Sequence, residues 1–230
     1  MLEITPPAAE GQAKLEFWNW TREQTKVFLY DGAVRQDRRR QLFTKAAGQG
    51  GFFTAAQAKE VGYSYQAQAH HVRAGNWVRI DRGLFQLPEW IPEPHDDLRR
   101  WTLWSQGKGV VSHESALAVH GIGEFESPRI HLTVPPAFAK DDPALDLHHM
   151  QLEREDIVEQ KGFAVTTAAR SIADVAARAP DEDQLARAIA EAIEKGVLTR
   201  RHLRARAELV DPRAALYVER AIQRTEGRST

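Results

Sequence analysis

Gly62 and Ser64 stand two positions apart, and between them they end one short helix and begin the next. Thr54 is placed as N-cap to Ala55-Ala56-Gln57-Ala58-Lys59-Glu60-Val61, and Gly62 offers the left-handed residue that closes such a helix. Ser64 is a second N-cap, opening Tyr65-Gln66-Ala67-Gln68-Ala69-His70-His71-Val72-Arg73-Ala74 as far as Gly75. So short a link allows only a tight turn, and two capped helices around a tight turn are the sequence form of a helix-turn-helix.

The flanks extend the unit. Arg38 to Ala47 is built of good helix formers with Leu42, Phe43, Ala46 and Ala47 on one stripe, and Gly48-Gln49-Gly50-Gly51 stops it. After the second capped helix, Trp77-Val78-Arg79-Ile80 alternates, Asp81-Arg82-Gly83 supplies a turn, and Leu84-Phe85-Gln86-Leu87 returns. Strand alternation predicts Val78, Ile80, Phe85 and Leu87 on one face, Arg79 on the other and Arg82 at the tip. Three helices followed by a basic hairpin predict a winged helix. On the helix after Ser64, helical spacing turns Gln68, Ala69 and Val72 inward and Gln66, Ala67, His70 and Ala74 outward, with Arg73 beside them. Glutamine can read adenine edges, and small residues let a helix approach base pairs closely.

Charge agrees with this reading only when it is divided. The whole chain has net charge -1, yet residues 38–90 hold eight basic side chains against three acidic ones, and residues 91–230 hold nineteen against twenty-three. A basic block beside a mildly acidic remainder is the footprint of one module that meets phosphate and one that does not. The absence of cysteine excludes a disulfide scaffold, a thiolate metal cage and a cysteine nucleophile. No apolar run approaches the length of a membrane span, and the N-terminus lacks a signal-peptide pattern, so a cytoplasmic protein without membrane contact is expected. Phe17, Trp18, Trp20, Phe28 and Tyr30 make residues 1–37 too aromatic for a fully solvated tail.

Residues 91–230 read as a second module. Asp96 to Gln106 is a helix with Leu98, Trp101 and Leu103 or Trp104 inward, and Ser112 is placed as N-cap to His113–His120, closed by Gly121. Arg129 to Val134 and Phe163 to Thr166 are the expected strands. Thr167 caps a helix through Ala179, and from Asp181 the chain is helical. Leu185, Ala188, Ile189 and Ala192 form one stripe, with restarts at Thr199 and Pro212 and with Leu216, Tyr217 and Ile222 available for packing. The fold class is therefore α+β: an N-terminal winged helix-turn-helix, then a mixed, mostly helical C-terminal domain with a small sheet. The boundaries are an extension 1–37, a DNA-binding domain 38–90 and a C-terminal domain 91–230.

Chemistry in the second module is harder to find. His113, His120, His131, His148 and His149 carry no HExxH, and no carboxylate but Glu114 stands at a ligand spacing, so neither a metal nor a cofactor is expected. Glu159-Gln160-Lys161 fits the E-x-K of metal-dependent nucleases, with Asp146 or Asp156 as the further carboxylate, but Gly162 and charged neighbours do not suit the apolar central strand that this chemistry needs. Ser112 beside His113 lacks a nucleophile elbow. Arg170 and Asp174, at i and i+4, make an intrahelical ion pair. Arg200, Arg201, Arg204 and Arg206 form a second basic run, in the plain reading a solvated helix face and in the sharper one a further nucleic-acid contact.

Three ordered blocks resemble the AbiEi family of antitoxins: Gly51 to Ala58 with Gly62-Tyr63-Ser64 and Arg73 to Phe85; Val110 to Gly121, like the family's SHESAL-type segment; and Thr166 to Ala176, like its TTPxRTLxDLA segment. The resemblance spans about Arg38 to Arg206. It implies a non-enzymatic antitoxin of a type IV toxin–antitoxin, or abortive-infection, system. Such a protein is a transcriptional repressor of its own operon, binding inverted repeats in double-stranded promoter DNA, and it counters a nucleotidyltransferase toxin without a stable complex. By position, the resemblance places DNA contacts at Ser64, Tyr65, Gln66, His70, Arg73, Arg79 and Arg82; Thr54 is a further candidate for DNA contact, and Ser112, Glu114, Arg170 and Asp174 are candidates for antitoxin function or domain packing. Gln68 and Ala168 depart from the family, which has an aliphatic residue and a proline there; a glutamine on an inner face needs a hydrogen-bond partner or must tilt outward. A metal-dependent nuclease built on Glu159 and Lys161, or a winged helix that binds protein, are the rival readings.

Overall fold

A computed structural model describes residues 34–125 and 127–227. The aromatic residues of the N-terminal extension lie outside the described residues.

The first unit begins with helix α1 (34–47) and continues through β1 (Phe52–Thr54), α2 (Ala55–Glu60), α3 (Tyr65–Arg73), β2 (Val78–Asp81) and β3 (Leu84–Gln86). The strands form an antiparallel sheet in the order β1-β3-β2, with a bulge between Arg79 and Asp81. Thr54 closes a full capping box: its hydroxyl accepts from the Gln57 amide while the Gln57 side chain accepts from the Thr54 amide. Ser64 caps α3 by accepting from the Ala67 amide at 3.2 Å.

Helix α3 is rotated slightly from expectation. Gln68 is buried and Val72 half-buried, as predicted, but Ala69 is exposed and Ala67 partly covered. The cause is the Gln68 amide, which donates to the carbonyls of Ala55 and Tyr63 at 3.0 Å each and so turns the inner line toward α2. His71 completes that line by stacking on Trp77, with centroids 4.7 Å apart at 17°. The hairpin also departs from simple alternation. Val78 is 44% exposed, whereas Leu84 and Phe85 are both buried, because β3 is the central strand and packs on both faces. Phe85 joins Phe53, Trp77, Leu42 and Ala46 on one side, and Leu84 joins Phe52, Leu98 and Trp101 on the other.

That second cluster crosses into the following unit, since Leu98, Trp101 and Trp104 belong to α4 (Asp96–Trp104). Arg99 reinforces the junction: buried, it donates to the Asp96 carboxylate at 2.5 Å and to the Lys161 carbonyl at 2.9 Å. Gly162 is required beside it, because a Cβ there would stand 2.6 Å from the Gly48 carbonyl oxygen, at a φ of +87°.

The second unit holds β4 (Val110–Val111), α5 (His113–His120), β5 (Ile130–Val134), β6 (Leu145–His149), a 3-10 turn at Arg154–Asp156, β7 (Ile157–Gln160) and β8 (Phe163–Thr166). Helices α6 (Ala168–Ala177), α7 (Glu182–Glu194), α8 (Arg200–Val210) and α9 (Pro212–Gly227) follow. The sheet has five strands, not the expected two, in the mixed order β6-β5-β4-β8-β7. Helices α5 to α9 enclose a core of Leu117, Ile172, Leu185, Ile189, Leu203, Val218 and Ile222. Leu216 is exposed instead. Thr167, Thr199 and Asp181 cap their helices by accepting from the amides of Arg170, His202 and Gln184. None of the described helices is long and apolar enough to cross a membrane.

Candidate functional site

The residues predicted to meet DNA divide into two groups. Tyr65, Gln66, Ala69, His70 and Arg73 are exposed along the outer face of α3, Tyr65 by 64%, and Arg79 and Arg82 are exposed on the hairpin. Tyr65 is steadied by Lys59, whose ammonium lies 5.5 Å from its ring centroid, and the Arg79 guanidinium lies 6.0 Å from the Phe85 ring. Thr54 and Ser64 do other work. Their hydroxyls are engaged as helix caps, and Thr54 is only partly exposed, so its side chain holds α2 rather than reaching outward. At Ser64 the exposed N-terminus of α3 still presents backbone N–H groups of the kind that bind phosphate.

The antitoxin candidates of the second unit separate in the same way. Ser112 stands at the N-cap position but makes no capping bond; its Oγ lies 2.9 Å from His113 Nδ1. The Arg170–Asp174 pair forms at 2.8 Å and is buried, and it is part of a larger network than the i, i+4 spacing indicates. Asp156 accepts from Arg170 at 2.9 Å and from Arg206 Nε at 2.5 Å, uniting the turn before β7 with α6 and α8. Burial raises the Asp174 carboxyl to about 6 against the lowering effect of Arg170. Arg206, read as part of a basic surface run, is thus an internal residue, and Arg204 is paired with Glu219 at 2.7 Å.

The nuclease constellation is not assembled. Asp146 on β6 and Glu159 on β7 occupy opposite edges of the sheet with three strands between them, roughly 19 Å at the usual strand spacing. Lys161 is exposed in the β7–β8 turn, 3.7 Å from Glu93, and Asp156 is committed to its arginines.

The histidines behave contrary to their spacing. His113, His131 and His148 converge, with one nitrogen of each within 4.8 Å of the others. His120 goes elsewhere, bonding the Thr166 carbonyl at 2.7 Å, and His149 is exposed. Burial first, then His148 and His131, pushes His113 down to about 2, and burial, then His131, pushes His148 down to about 4. His131 is lowered by burial against the raising effect of Glu114 and Asp146. The cluster was not legible because its members sit on three elements, and only the β5–β6 register brings two of them together.

Residues 40–88 match the family model described as "Transcriptional regulator, AbiEi antitoxin", so the resemblance read from the sequence is shown over that segment. The fold resembles the crystal structure of the RV2827C protein from Mycobacterium tuberculosis, with a TM-score of 0.54 at 14% identity over 84% of this chain and 80% of that one. No curated protein matches.

Proposed function

We propose that the first unit, residues 38–90, is a winged helix that binds double-stranded DNA, and that the protein is an antitoxin-type transcriptional repressor of its own operon. The observation that carries this reading is the continuous exposed row of Tyr65, Gln66, His70 and Arg73 on α3 beside Arg79 and Arg82 on the hairpin, within the segment that matches antitoxin regulators. Helix α3 would enter the major groove, where Gln66 and His70 meet base edges and exposed Ala69 allows close approach. The arginines of the hairpin would take phosphate or the minor groove, which positions the protein without specifying sequence.

The second unit, residues 91–230, is proposed to counter a nucleotidyltransferase toxin without a stable complex and without catalysis of its own. Glu114 and the surroundings of Arg170 and Asp174 are the residues proposed for that role or for the packing that supports it. The test of the DNA reading is a salt titration of binding to the DNA just upstream of the gene, against a scrambled duplex of equal length. Tight, selective binding with a steep salt dependence is expected. Equal, weak binding to both duplexes would overturn the repressor reading and favour a winged helix that contacts protein.

A further inference from the structure

One face of the five-stranded sheet carries a group of side chains that the DNA reading does not use. In the β5–β6 register His131 lies opposite Asp146 and Thr133 opposite His148, so all four side chains share a face. Helix α5 adds His113 and Glu114 above it. The rings are nearly parallel, with His113 and His148 centroids 3.5 Å apart at 16°, and His131 and His148 centroids 5.2 Å apart at 13°; because a ring's lone pair lies in its own plane, His113 must turn out of this stack to aim at an ion shared with the other two.

The neighbours of each ring decide which nitrogen is an N–H and which holds a lone pair. His131 Nε2 lies 3.4 Å from a Glu114 carboxylate oxygen and 2.9 Å from Ser127 Oγ. A carboxylate only accepts, so Nε2 is the N–H and Nδ1 the lone pair. Arg178, which only donates, approaches that same Nδ1 at 3.3 Å, in agreement. Ser112 Oγ lies 2.9 Å from His113 Nδ1, and where the hydroxyl accepts from that nitrogen, Nε2 is the lone pair. The His131 lone pair accepts a hydrogen bond from His148 Nε2 at 3.0 Å; moving that proton to Nδ1 of His148 frees two nitrogens at a separation near the roughly 3.3 Å between nitrogens that share a tetrahedral zinc ion at 2.0–2.1 Å each. An Asp146 oxygen stands 3.8 Å from His131 Nδ1. The Glu114 oxygen faces His131 Nε2 as an ion-pair contact at 3.4 Å without completing a hydrogen bond, and the buried Thr133 hydroxyl beside the group makes none either.

We propose that His113, His131 and His148 bind one divalent transition-metal ion of the zinc type, with the Asp146 carboxylate as the fourth ligand and Glu114 orienting His131 from behind. Three imidazoles and one carboxylate suit zinc and exclude the hard, oxygen-seeking magnesium and calcium ions. A carboxylate on the far nitrogen of a ligating histidine fixes its tautomer and strengthens it as a ligand. Arg178 is half-exposed and reaches Asp146 and His131 from the rim, so it competes with the metal and must swing outward when the metal enters. The ion would join α5, β5 and the edge strand β6. This site stands independently of the DNA reading.

The test is calorimetric titration of the untagged full chain with zinc chloride, supported by the visible spectrum with cobalt(II) and by melting with and without chelator. One ion per chain, a tetrahedral cobalt spectrum and a higher melting temperature with zinc are expected. His148→Gln and His131→Gln should each weaken binding at least tenfold, His149→Gln should leave it unchanged, and Arg178→Ala should tighten it. Absence of saturable zinc binding by the wild-type chain, or binding that survives in a folded His148→Gln variant, would overturn the site. Loss of stability in Arg178→Ala with no gain in zinc affinity would do the same, since it would mean that the guanidinium is the partner these rings are built for.

Discussion

The Gln68 side chain donates to the Ala55 carbonyl at 3.0 Å, tying the exposed helix α3 to the start of α2. This bond sets which residues of α3 look outward, because a second bond to Tyr63 leaves the amide no freedom to turn. Gln68→Ala removes both bonds and opens a cavity, at a cost of about 2 kcal/mol. Gln68→Leu restores the volume and should cost less than about 1 kcal/mol, as aliphatic packing replaces the bonds. Urea unfolding of the two variants distinguishes these outcomes; equal losses would mean that the hydrogen bonds, not the filled space, hold the helix.

Arg79 and Arg82 are exposed on the hairpin, where the proposed interface has them meet phosphate. Replacing both with alanine should lower affinity for all duplexes together and reduce the slope of log K against log salt by roughly one unit per lost phosphate contact. Gln66→Ala should instead reduce selectivity, by roughly 1–3 kcal/mol at one base pair, with little change of slope. Binding isotherms at several salt concentrations separate the two; an unchanged slope in the double variant would remove the hairpin from the interface.

Asp156 is buried between Arg170 and Arg206. Asp156→Ala leaves two guanidinium groups without their shared carboxylate and should destabilise the fold by about 3–5 kcal/mol. Denaturant unfolding measures this directly, and a loss below about 1 kcal/mol would show that the network relaxes into solvent.

Asp174 gives the pH dependence an unusual sign. Its carboxyl is raised from 3.8 to about 6 by burial, so the native state holds the proton that the unfolded chain releases. Stability from this group is present below about pH 4 and is lost as pH rises to about 6, by roughly 3 kcal/mol in total. Asp174→Asn retains an acceptor for Arg170 and should gain stability over wild type across that window, then hold a constant advantage above it. Measuring the difference between the two chains cancels the carboxylates common to both, such as Asp96, which is held low by bonds from Glu93, Trp90 and Arg99 against burial. A flat difference from pH 4 to 7 would contradict the assignment.

Much of the first unit was legible because its signals are local. Thr54, Ser64 and Gly62 act within one turn of their own positions, and Arg79 and Arg82 follow from a turn of fixed length. The facing of Ala69 was misread because a buried glutamine obeys its bonding partners, not the apolar stripe. In the second unit β4 has only two residues, β6 carries Asp146, His148 and His149, and β7 ends in Glu159 and Gln160, so none shows clean alternation. The histidine group and the Asp156 network depend on strand register and helix docking across long separations, which no single stretch of sequence encodes.

The core that joins Phe52 and Leu84 to Leu98 and Trp101, sealed by Arg99 and Gly162, makes the two units poor interchangeable cassettes. A cut after residue 90 would expose one side of the central strand β3 to water. The hairpin is therefore mounted like a tool on a fixed shank: through Leu84 against Leu98 and Trp101, whatever shifts α4 shifts the hairpin with it.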